Sequence, residues 1–283
     1  ERIQHLGCAG HVRYCLQNDK RNDSELLDIL EKAANREFRT AVQRKLALEE
    51  LDRIAQDRNL QPLIIKGAAN ALPYYPREAL RYSTDIDVVL DTEQVGRLFP
   101  EEMASDLKRV FPQEHVRRKV IHGTAIELHY RFGLTPDWGE TQDLGRHSTP
   151  MAGMNALHIP SPDVAVTVAL LHAVKHLARL PYDFIDVTFI VQSDRLQWEA
   201  AVELWRQANL TGLVFPSLVL LQHINGNVPE KVITEMERSL PPVALKEAKR
   251  IRLRMTKRTH VVAFLHKKYA ECCLKNLKPG IPY

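Results

Sequence analysis

Thr84-Asp85-Ile86-Asp87-Val88-Val89-Leu90 is the stretch on which the fold of this chain turns. In an extended strand successive side chains alternate, so Ile86, Val88 and Leu90 share one face and Asp85 and Asp87 share the other. The first face belongs in a core. The second presents two carboxylates about 6–7 Å apart along the backbone. Carboxylates held side by side repel unless a positive charge sits between them. A divalent cation is the usual remedy, and an all-oxygen site suits Mg²⁺.

Upstream, Pro62 precedes the apolar strand Leu63-Ile64-Ile65, which runs into Lys66-Gly67-Ala68-Ala69. A glycine there lets backbone approach a phosphate, and the start of the following helix favours its charge. That helix, Ala68 to Leu72, should stop at Pro73 and Pro76. Arg81 lies four positions before the first acid, with Ser83 and Thr84 beside it. Downstream, Thr92 to Val110 has helical spacing, with Thr92 as its cap and a break at Pro100. Arg117 to Ile121 and Thr124 to Phe132 predict two strands joined at His122-Gly123. Glu127, His129 and Arg131 share one face of the second strand, so Glu127 adds a third carboxylate. Three such groups can hold two metals about 3.5–4 Å apart, an arrangement used for displacement at phosphorus.

Before this unit, Ser24 to Asn59 predicts a helix with Leu26, Leu27, Leu30, Ala34, Phe38, Leu46, Leu51 and Ile54 as its apolar stripe and a break near Arg39–Thr40. Thr135 to Pro150 has loop composition. Beyond Pro160-Ser161-Pro162 the chain is mainly helical, with candidates at Asp163–Leu180, Trp198–Ala208, Leu213–Gln222, Lys231–Glu237 and Val243–Leu274. The expected class is α+β, a small mixed sheet flanked by helices. The expected organisation is an N-terminal helical segment (1–59), a catalytic core (60–150) and a C-terminal helical domain (151–283).

Composition narrows the classes. With 45% hydrophobic and 26% charged residues, the 283-residue chain is globular rather than disordered. The longest apolar run, Val164 to Ala178, is interrupted by Thr167, His172, Lys175 and His176, short of the roughly 20 residues that span a bilayer. Four cysteines, at 8, 15, 272 and 273, form no Cys-x-x-Cys pair and predict free thiols in a cytoplasmic protein. The net charge of +4 identifies no nucleic-acid binder by itself. The basic stretch 246–258 is either a solvated helix face or a surface for RNA or a partner protein.

Taken together, Ile65-Lys66-Gly67-Ala68-Ala69, Tyr75-Pro76, Arg81-x-x-x-Asp85-Ile86-Asp87-Val88-Val89 and Ile126-Glu127-Leu128-His129-Tyr130 resemble an uncharacterised bacterial nucleotidyltransferase family of the polymerase-β-like superfamily. The resemblance spans roughly 60–132 and extends loosely to His172, His176, Arg179 and Asp186. It implies that Asp85, Asp87 and Glu127 are catalytic and bind two Mg²⁺ or Mn²⁺ ions. It implies that the loop at Gly67 holds nucleotide phosphates; Lys66 and Arg81 flank that site as phosphate-neutralising cations or as surface salt bridges, and with Ala68 and Ser83 they complete the NTP-binding candidates. The implied reaction moves a nucleoside monophosphate, AMP, from an NTP to an acceptor that the residues do not name. Gly67-Ala68 stands where the superfamily usually has Gly-Ser or Gly-Gly, and Glu127 where Asp is commoner. His172, His176 and Arg179 fall at i, i+4 and i+7, one helix stripe expected to face Asp85 and Asp87 across a cleft. With His129 they are candidates for acceptor or phosphate contacts. A zinc site on His172 and His176 lacks further ligands. The alternative to an enzyme is an inactive nucleotidyltransferase-fold module that binds through its basic C-terminal helix.

Overall fold

Ile86, Val88 and Leu90 are buried, as their alternation requires, and they join Ile64, Ile126 and Leu128 in one hydrophobic core. The computed structural model describes residue 13 and residues 24–100, 116–132, 138–175, 181–225, 227–240, 242 and 245–246. The chain divides into two compact units, Glu1–Phe132 with Gly139–Ser161, and Gly133–Trp138 with Pro162–Tyr283.

In the first unit a long helix α1 (Ser24–Asp57) is followed by strand β1 (Leu63–Ile65), helix α2 (Lys66–Tyr74) and a 3-10 turn (Glu78–Leu80). Then come β2 (Asp85–Val89), α3 (Thr92–Leu98), β3 (Val116–Ile121), β4 (Thr124–His129), α4 (Thr141–Gly145), β5 (Thr149–Pro150) and β6 (His158–Ile159). The six strands form one mixed sheet in the order β3-β4-β2-β1-β6-β5. β2 runs parallel to β4 and antiparallel to β1, so both neighbours of the Asp-x-Asp strand carry residues singled out from the sequence. β3 and β4 join through His122 (φ 48°) and Gly123 (φ 76°), the paired positive φ values of a tight hairpin turn whose twist matches the strands.

α1 runs unbroken through Arg39–Thr40, where the Thr40 hydroxyl donates back to the Arg36 carbonyl at 3.2 Å. Its inward face also differs from the expected stripe. Leu30, Ala33, Ala41, Ala47, Leu48, Leu51 and Ala55 are buried, whereas Phe38 is 58% and Leu46 45% exposed. The buried face includes Glu37, Arg44 and Asp52, and these charged positions disguise its register. Asp52 has a structural task there. Its carboxylate accepts from the backbone N–H groups of Asn155, Ala156 and Leu157 at 2.8–3.1 Å, tying α1 to the turn that leads into β6.

Three local expectations change. Asp91, not Thr92, caps α3, through a capping box with Gln94, and the helix ends at Leu98; residues 101–115 lie outside those described. α2 starts at Lys66 and absorbs Pro73 near its end. The 135–150 stretch contains α4, capped by Glu140, and the two-residue strand β5, which is too short to show a period.

Among the described residues, the second unit is helical: α5 (Pro162–Lys175), α6 (Pro181–Gln192), α7 (Trp198–Gln207), α8 (Thr211–Asn225) and α9 (Glu230–Ser239). α6 was not expected from periodicity, although Pro181 marks its first position and Asp186, Val187, Ile190 and Val191 make its buried face. Trp205 anchors the bundle. It is fully buried, donates from Nε1 to the Thr167 hydroxyl at 2.7 Å and meets Trp198 edge-on at 6.5 Å. The candidate helix at 243–274 lies almost wholly outside the described residues. No helix among the described residues is long and apolar enough to cross a membrane.

Candidate active site

Register builds the site. Asp87 pairs with Glu127 across the parallel β2–β4 ladder and with Ile65 across the antiparallel β1–β2 ladder. His129 lies two residues beyond Glu127 on the same face, and Lys66 follows Ile65 directly. Three sequence-distant segments therefore converge on one carboxylate.

The Asp87 side chain is 5% exposed, and its Oδ1 accepts from Lys66 Nζ at 2.6 Å and lies 2.8 Å from His129 Nε2. Burial alone would raise this carboxyl. The charge of Lys66 and the hydrogen bond from His129 outweigh burial and hold it well below the usual carboxylate range. Asp87 therefore stays ionised in a place that would otherwise favour its neutral form. Ligand atoms of Asp87, Glu127 and His129 all lie within 4.8 Å of one another.

These donors fit a divalent cation. Two carboxylates supply hard oxygen ligands, and an imidazole adds a nitrogen acceptable to Mn²⁺ and later metals. The Lys66 ammonium already stands as a cation on Asp87.

Asp85 shares the strand face of Asp87 but not this cluster. The Ser83 hydroxyl lies 2.7 Å from Asp85 Oδ1 and 3.0 Å from its carbonyl oxygen, so Ser83 orients Asp85 here. Lys66 has a left-handed backbone (φ 57°), unusual for a residue with a side chain, and its ammonium lies 5.4 Å from the centre of the Phe132 ring. Gly67 and Ala68 are buried in the first turn of α2. Arg81 lies beside them: a β-carbon on Gly67 would fall 2.9 Å from the Arg81 guanidinium carbon. Arg81 Nη1 donates to the Tyr82 carbonyl.

Arg44 is a supporting residue that sequence reasoning missed. It is fully buried on α1 and donates from Nη1 to the Arg81 carbonyl at 2.7 Å, with Glu78 Oε1 3.8 Å from its Nη2. Its only sequence signal is a charge between Ala41 and Leu48, both buried positions of α1. His129 was singled out as an acceptor or phosphate contact, and the structure puts it on Asp87. His172 is half-buried on α5 of the second unit, while His176 and Arg179 lie outside the described residues. So does the basic stretch 246–258 apart from Lys246.

No curated protein and no solved structure matches the chain. A family model described as uncharacterised nucleotidyltransferase matches residues 2–226, a span containing the whole sheet and the Asp87–Glu127–His129 cluster, and the chain therefore belongs to that family of phosphorus-containing-group transferases.

Proposed function

We propose that the protein transfers a nucleoside monophosphate, AMP from ATP, to an acceptor and releases pyrophosphate, with a catalytic unit of the polymerase-β-like kind. The observation that carries this is the convergence of Asp87, Glu127 and His129 within 4.8 Å beside the cationic start of α2. Asp87 and Glu127, with Asp85 one alternation step away, would hold two Mg²⁺ or Mn²⁺ ions. Bound there, the cations would neutralise phosphate charge and activate the attacking oxygen.

The chain's own groups supply the rest. Lys66 and Arg81 place positive charge at the N-terminus of α2, where backbone N–H groups also favour an anion, and so would hold the triphosphate. Ser83 and Arg44 keep Asp85 and Arg81 in position. An acceptor oxygen attacks the α-phosphorus and forms the new P–O bond. The bond to the bridging oxygen breaks, and its electron pair leaves with pyrophosphate. The acceptor's proton passes to Asp85 or Glu127, since Asp87 is held in its charged form and suits cation binding better than proton uptake.

The test is a screen of α-labelled NTPs with Mg²⁺ or Mn²⁺ against small-molecule, peptide, protein and RNA acceptors. Label transfer that requires Asp87 and favours ATP is the expected result. Label transfer unaffected by Asp87→Asn would place the chemistry elsewhere.

A further inference from the structure

The geometry points to Lys66 as a built-in counter-ion that occupies Asp87 until a phosphate-bearing ligand takes its ammonium, so that metal binding and triphosphate binding are coupled through this one side chain. The inference rests on the metal-dependent reading above and deepens it. Lys66 Nζ lies 2.6 Å from Asp87 Oδ1, on a side chain 15% exposed facing one 5% exposed. A divalent cation on the same carboxylate and an ammonium hydrogen-bonded to it are like charges at contact distance, so with no phosphate to offset their repulsion they compete for it in this low-dielectric setting.

Lys66 is held in this place against backbone strain and with the help of a second contact. Its backbone adopts φ 57°, a region that residues with a β-carbon avoid. Its ammonium also lies 5.4 Å from the Phe132 ring centre, a second stabilising contact in the paired state. Both hydrogen bonds to Asp87 fall on Oδ1. Lys66 is also the first residue of α2, adjacent to Gly67 and the Arg81 guanidinium. The ammonium can thus exchange Asp87 for a phosphate oxygen by side-chain rotation alone. A free cation must displace Lys66, whereas a cation arriving with a triphosphate brings the group that receives it. Coupling of this kind is reciprocal between the two ligands.

The test measures Mn²⁺ binding without any turnover. Free Mn²⁺ is titrated into wild type, Lys66→Met and Lys66→Arg and followed by its electron paramagnetic resonance signal; calorimetry then compares free Mn²⁺ with its complex with inorganic triphosphate. In Lys66→Met, free Mn²⁺ should bind about tenfold more tightly than in wild type, within the usual range of coupling effects. Lys66→Arg retains a competing cation and should stay near wild type. The preference of wild type for the triphosphate complex over free Mn²⁺ should shrink in Lys66→Met, with Arg81 and the start of α2 still receiving phosphate.

If Lys66→Met binds free Mn²⁺ no better than wild type, the counter-ion role is overturned while the metal site stands. If none of the three proteins binds Mn²⁺ at millimolar concentration, the metal-dependent reading itself falls. Should Lys66→Met fail to fold alone, recovery of the fold by Mn²⁺ supports the exchange, and no recovery counts against it.

Discussion

Arg81 stands over Gly67 so closely that a side chain there would have to move the guanidinium. An added β-carbon would meet the guanidinium carbon at 2.9 Å and both terminal nitrogens at 3.0 Å. Gly67 is therefore favoured by the close approach of a movable guanidinium, not by a left-handed backbone; the left-handed residue is its neighbour Lys66. The Arg81 carbonyl is in turn held by the buried Arg44 at 2.7 Å. A helix of the N-terminal segment thereby reaches the start of α2 through two arginines.

Gly67→Ala should push Arg81 aside and weaken NTP binding about tenfold, roughly 1.4 kcal/mol. The melting temperature should move little, because alanine favours the helix by about 1 kcal/mol over glycine. Arg81→Ala removes the obstacle, so adding Gly67→Ala to it should cost almost nothing further in affinity. Additive losses in this double-mutant cycle, read by calorimetry, would mean that Gly67 acts independently of Arg81.

Asp87→Asn should reduce transfer at least about a hundredfold, on the scale of losing one preorganised electrostatic group. The sequence placed Asp87 outside the core, which predicted an unaffected fold. The buried contacts with Lys66 and His129 change that expectation. Leaving the Lys66 ammonium without its partner should cost about 1–3 kcal/mol in urea denaturation. Unchanged stability would mean that the ion pair does not contribute in solution.

Asp52 makes stability depend on acid pH. Burial would raise its carboxyl, but the N–H groups of Ala156, Asn155 and Leu157 and the Gln56 side chain lower it below the ordinary value. A depressed carboxyl stabilises the fold above its unfolded pKa, about 3.9, and the contribution is lost as pH falls through the lower folded value. Asp52→Asn should therefore cost about 1–3 kcal/mol at neutral pH and progressively less below pH ~4. Equal cost at pH ~3 and ~7, read from denaturant midpoints, would contradict this assignment.

In the second unit, Trp205→Phe removes the donor to the Thr167 hydroxyl while retaining an aromatic ring. Some volume is lost at a position with 0% exposure. A loss of about 1–3 kcal/mol is expected. Thr167 keeps its own bond to the Asp163 carbonyl at 2.6 Å, so α5 should remain helical by circular dichroism.

Strand identity, the shared face of Asp85 and Asp87, the His122-Gly123 turn and the third carboxylate at Glu127 were all legible in the sequence. Period-two alternation and turn chemistry act over a few neighbouring residues, and they suffice for those features. The inward face of α1 was misread because Glu37, Arg44 and Asp52 occupy core positions, and for Arg44 and Asp52 distant partners make such burial tolerable. Which carboxylates cluster depends on register. The sequence determined that Asp85 and Asp87 point the same way. The tertiary structure decided that Asp87 meets Glu127, His129 and Lys66 while Asp85 turns to Ser83. That choice comes from the pairing of β2 with β4 on one side and β1 on the other, which brings Asp87 to partners 21 and 42 residues away in the chain. No local pattern encodes which residues such ladders bring opposite one another.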